Sequence, residues 1–129
     1  MAARAAFELQ DDSAARDLLA LLDSYPPGHI APMLRAECDL ARARLAASDA
    51  GQGASAAFAA AILGLREQST PYHLAYGLLD HAGYLTRQGD AEAAALAIDE
   101  ARTIGRRLHC QPLLDRADEI EEAKLRIRA

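Results

Sequence analysis

The chain has 129 residues, of which 31 are alanine and 19 leucine, while valine is absent and only six isoleucines and three threonines occur. Strands draw on β-branched and aromatic side chains, so this composition excludes an extensive sheet, and its wealth of strong helix formers predicts an all-α fold. The net charge of −5 is spread along the chain, without the clustered Lys and Arg that nucleic acid or an anionic membrane surface would require, so neither is expected as a direct partner.

The 3.6-residue periodicity, punctuated by Gly, Pro and capping residues, predicts seven helices at about 2–9, 13–24, 31–48, 54–68, 71–88, 90–108 and 112–127. After the second, Ser24-Tyr25-Pro26-Pro27-Gly28 must end a helix, because paired prolines lack backbone donors. Ser48-Asp49-Ala50-Gly51-Gln52-Gly53 is the next turn. Thr70 is placed to cap the helix starting at Pro71, and Pro32 and Pro112 also stand at expected first helical positions, where a missing N–H costs nothing. Gln88-Gly89-Asp90 is the tightest joint. There Gly89 can turn left-handed and Asp90 can cap the following helix, which forces an antiparallel pair. Helix 71–88 carries Leu74, Leu78, Ala82 and Leu85 on one stripe, and helix 90–108 carries Ala94, Ala97, Ile98, Ala101, Ile104 and Leu108.

Length and a half-apolar, quarter-charged composition suit one globular domain rather than a disordered chain. No apolar run approaches the roughly 20 residues of a membrane span. The first residues, Met1 to Phe7, are too weakly apolar for a signal peptide. A cytoplasmic protein is therefore expected, with Cys38 and Cys110 as reduced thiols.

The prolines keep a period: Pro32 and Pro71 are 39 residues apart, Pro71 and Pro112 are 41 apart. In a helical chain such self-similarity means stacked helix pairs. Ala15, Leu19 and Leu22 recur as Ala54, Phe58 and Ala61, and again as Ala94, Ile98 and Ala101. Small residues let backbones approach while the large one fills the space between them.

These residues resemble a tetratricopeptide-type repeat (TPR), most closely in the succession Leu78, Ala82, Leu85, Gly89, Ala94, Ile98, Ala101. The resemblance implies antiparallel helix hairpins stacked as a right-handed α-solenoid. It divides the chain into units of about 1–28, 29–69 and 70–110 with a capping helix at 111–129. His81 stands where the family prefers leucine, Asp49 near the place of a turn glycine, and the period exceeds the usual length of about 34. The stretch from Ile104 to Ala117, with these longer units, is similar to the carboxy-terminal helical arrays of large bacterial signal-transduction ATPases, some linked to cyclase or DNA-binding output domains. That likeness implies a fragment of such a regulator.

Candidate chemistry is sparse. The histidines are His29, His73, His81 and His109. On a helix His73 and His81 stand about 80° and 12 Å apart, too far to share a metal without a third ligand. His109 and Cys110 have no partner at ligand spacing and read as connector residues. Gly51-Gln52-Gly53-Ala54-Ser55-Ala56 imitates a dinucleotide fingerprint, but that motif needs a preceding strand, and residues 42–47 read as helix. Asp99-Glu100 and Glu119, Glu121 and Glu122 read as a solvated face, and no nucleophile-elbow pattern occurs. No catalytic residue, cofactor or metal is expected.

What remains is a surface. The TPR resemblance places Glu37, Leu40, Ala41 and Arg44, with Tyr72, Tyr76, Leu79, Asp80, Gly83, Thr86 and Arg87, on a concave groove. Tyr and Arg are frequent interface anchors. Tyrosines at this spacing are also often half-buried against a neighbouring helix. The expectation is a non-enzymatic module that binds a protein or peptide, with homodimerisation as the alternative.

Overall fold

The structure is a computed structural model that describes residues 12–26, 28, 31–48 and 53–128. The helix expected at 2–9 lies outside the described residues, as do residues 49–52 of the second turn. The described residues form six α-helices and no strand: α1 (Asp12–Asp23), α2 (Pro32–Ser48), α3 (Ala54–Gln68), α4 (Pro71–Arg87), α5 (Ala91–Arg107) and α6 (Gln111–Arg128). None is long and apolar enough to cross a membrane. The chain divides into two compact units, residues 1–69 and 70–129.

In the first unit α2 and α3 pack closely. Ala54, Phe58 and Ala61 form the buried stripe of α3, and Phe58 is the largest fully buried side chain among the described residues. Small residues bring the helices together: a Cβ added at Gly64 would lie only 3.5 Å from that of Ala36 on α2. Helix α1 joins this pair through a small cluster, with Leu18, Leu19 and Leu22 against Leu34, Cys38, Ala41 and Leu45. The side chain of Ala15, first of the recurring triplet, is outside the described residues.

In the second unit α4 and α5 pack along one another, and α6 touches both. The sequence-predicted stripes are the buried ones: Leu74, Leu78, Ala82 and Leu85 on α4, and Ala94, Ala97, Ile98, Ala101 and Ile104 on α5. Leu108 departs from its stripe. It is the C-cap residue of α5, the last before the chain turns left-handed at His109, and is 41% exposed. Helix α6 contributes Leu113, Ala117 and Ile120, and it comes close to α5 at Gly105, where an added Cβ would meet Leu114 Cδ2 at 3.0 Å and Leu113 Cβ at 3.4 Å.

Helix ends explain the tight packing. The Thr70 hydroxyl accepts from the His73 N–H, and the Asp90 carboxylate accepts from the Ala93 N–H, so both expected caps are in place. At the α4–α5 joint Gly89 has φ 83°, its N–H donating to the Thr86 carbonyl (3.1 Å) while Asp90 N–H donates to Leu85 (3.0 Å). The α5–α6 joint repeats this: His109 N–H donates to Arg106 (3.2 Å) and Cys110 N–H to Gly105 (2.9 Å). Both are Schellman-type ends, in which a left-handed residue lets two amides satisfy the helix's last carbonyls. The second joint uses a histidine at φ 52° where a Cβ is disfavoured. The difference is testable by urea denaturation. His109→Gly should stabilise the chain by about 0.5–1 kcal/mol, and Gly89→Ala should destabilise it by about 1 kcal/mol.

Candidate functional site

Helix α4 buries one side, which leaves Tyr72, Tyr76, Asp80, Gly83 and Arg87 on the opposite stripe, at spacings of four, four, three and four. Tyr72 is 43% exposed, Tyr76, Asp80 and Gly83 are half-buried, and Arg87 is exposed. The Tyr72 and Tyr76 rings meet edge to face with centroids 5.0 Å apart, and Tyr72 also meets the His73 ring at 5.4 Å. Such geometry suits aromatic quadrupoles and holds the exposed ring in one orientation. At the other end an added Cβ at Gly83 would lie 3.8 Å from an Arg87 guanidinium nitrogen, so the arginine folds back over the glycine.

The groove expected from sequence is only partly accessible. Leu79, seven residues from Tyr72 and three from Tyr76, has no exposed surface although it lies towards their side of the helix, so the buried arc of α4 reaches past it and it forms no part of an accessible strip. Thr86 is buried too, its hydroxyl turned onto the Ala82 carbonyl at 2.8 Å. In the first unit Glu37, Leu40 and Ala41 are buried and Arg44 is half-buried, so Glu37 is likewise removed from any open face. Glu37 and Arg44 belong to α2, the other groove candidates to α4.

A second feature was not anticipated. The end of α1 and one face of α2 enclose a cleft of about 240 Å³ lined by Leu22, Asp23, Tyr25, Arg35, Cys38, Asp39 and Arg42. Arg42 donates to Asp39 on its own helix at 3.0 Å and also pairs with Asp23 of α1. Cys38 is buried at the base, and burial pushes its thiol up from the ordinary value against the opposing pull of the Arg42 guanidinium. The local signal was visible as Arg35, Cys38, Asp39 and Arg42 at helical spacing. The approach of Asp23 was not, since it depends on how α1 lies.

Among the described residues no group of three or more His, Cys, Asp or Glu side chains could hold a metal ion. His73 is engaged at the start of α4, its Nδ1 lying 2.7 Å from Thr70 Oγ1. His109 sits in the α5–α6 joint. The chain matches no protein-family model, no curated protein and no solved structure.

His81, on α4 beside the stripe, gives the unit a dependence on acidity. Burial lowers its pKa from the usual 6.5. The native state therefore binds fewer protons than the unfolded chain between that lowered value and 6.5, so stability is retained above 6.5 and lost as pH falls through this window. His81→Gln should flatten this part of the urea-midpoint profile between pH 7 and pH 5. An unchanged slope would exclude His81 as its source.

Proposed function

We propose that the chain is a non-enzymatic protein–protein interaction module of TPR-like helix hairpins, and that the exposed stripe of α4 is its contact surface for a peptide or a neighbouring domain. The observation that carries this reading is the exposed Tyr72 ring held edge-on to Tyr76, with the Arg87 guanidinium three to four turns along the same stripe. Tyrosine and arginine supply large contact area and directional donors, and both are enriched where binding energy concentrates. A surface carried on a capped helix is ordered before the partner arrives, which spares the cost of fixing it on binding. The tight α4–α5 joint and the alanine-lined packing support the hairpin reading. The resemblance to bacterial regulator arrays makes a cytoplasmic signalling or transcriptional regulator the fitting context.

Self-association is the second reading, favoured by α3, whose solvent side carries Ala56, Ala59, Ala60 and a 56% exposed Leu63. An isologous pairing would cover it. Light scattering across concentration distinguishes the two: the first predicts a monomer, the second a dimer that Leu63→Glu dissociates.

The contact surface is tested with a displayed peptide library. Peptides selected on the wild-type chain should lose at least tenfold in affinity for the Tyr72→Ala, Arg87→Ala double variant, while helicity and melting temperature change little because both side chains are exposed. Equal binding to both proteins would refute the stripe as the contact surface.

A further inference from the structure

Among the described residues, helix α1 buries little apolar surface on α2. Only Leu19 of its leucines is buried, Leu18 and Leu22 are half-covered, and Leu21 is 56% exposed. At its end the Asp23 carboxylate, more than half exposed, pairs with Arg42 of α2. The packing beneath is incomplete, as the cleft of about 240 Å³ shows. Residues 24–31 join α1 to α2. At up to about 3.3–3.6 Å per residue they can span more than 25 Å, so α1 can leave without unwinding α2.

We propose that this face of α2 is a helix-accepting groove, that α1 is its internal occupant, and that an amphipathic acidic helix of a partner protein displaces α1 from it. The groove states the partner's chemistry. Leu34, Cys38, Ala41 and Leu45 take two leucines about one turn apart, and Arg42 takes a carboxylate beside the second leucine, as Leu19, Leu22 and Asp23 provide in α1. Arg35 lines the same cleft two turns before Arg42, so the groove carries two guanidinium groups along its length. A partner helix with a bulkier residue at the position of Leu22 fills the space that α1 leaves open, which is the source of its advantage over a helix already tethered in place. This surface lies in the first unit and is independent of the α4 stripe.

Cys38 reports on the groove, because it is buried beneath α1 and becomes reachable when α1 departs. The test uses the full chain carrying Cys110→Ser, with labelling by a chromogenic aromatic disulfide followed over time. Asp23→Asn should speed labelling of Cys38 about two- to fivefold at low salt, and 0.5 M sodium chloride should produce a similar gain in the parent. Leu18→Ala, which trims the same contact without altering α2, serves if Asp23→Asn loses helicity. A synthetic peptide of residues 12–25, added in excess to either variant, should slow labelling saturably. The same peptide carrying Leu19→Asp should not. Unchanged labelling in both variants would show that α1 does not leave, and faster labelling without protection by the peptide would show that the vacated face does not accept a helix. Either result overturns the proposal.

Discussion

The close approach of helices permitted by alanine is the constraint on which this protein depends. Valine is absent, and the buried faces of α3 and α5 alternate Ala54, Phe58, Ala61 and Ala94, Ile98, Ala101. Where neighbouring residues are this small, backbones approach until few atoms separate them, as the Gly64–Ala36 and Gly105–Leu113 contacts record. Among the described residues, the large side chains of Phe58, Leu40, Leu65, Leu79, Ile98 and Leu113 are then fully enclosed. Truncating any of them removes buried apolar contact and leaves a cavity that close-packed surroundings relax into only partly.

Helix packing of this kind needs the chain to reverse within a few residues, and local backbone chemistry supplies that. The α4–α5 and α5–α6 joints are both three residues long, end the preceding helix with a left-handed residue and lead straight into the next. Ion pairs matter less. Arg116–Glu119 runs along α6 at i,i+3 spacing with both side chains exposed, where such a pair contributes little. Arg102–Asp118, at 2.9 Å, links α5 to α6 with the arginine largely shielded, but those helices are already fixed by their joint and by Gly105.

What was legible in the sequence follows from this division between local and distant causes. Thr70, Gly89 and Asp90 act over three to five residues, so their roles were readable directly, and so were the buried stripes of α4 and α5. His109 took the left-handed position with no glycine to announce it, since the hydrogen bonds of the joint outweigh the strain on its Cβ. Leu79 was misplaced for a different reason. It adjoins Leu78 on a helix with a wide buried arc, and periodicity alone does not say how far around the helix that arc extends. The pairing of Asp23 with Arg42 joins residues 19 apart across two helices, and no spacing rule anticipates it.

The same division leaves the two ends of the described structure unlike each other. Helix α6 is fixed by a short joint, by the close contact at Gly105 and by a buried stripe that extends to Lys124, whose aliphatic stem covers apolar surface while its ammonium reaches Glu121 at 3.3 Å. Helix α1 has no three-residue joint, and among the described residues its contact with α2 buries one leucine fully and two partly, with the Asp23–Arg42 pair at its end partly open to solvent. Local opening free energies follow buried apolar contact, so α1 is the least costly of the described helices to release. A charged side chain at that contact is consistent with such a role, because a pair exposed to solvent can exchange its carboxylate for another at little cost, whereas the alanine-lined faces of α3 and α5 cannot exchange their neighbours without losing the fold.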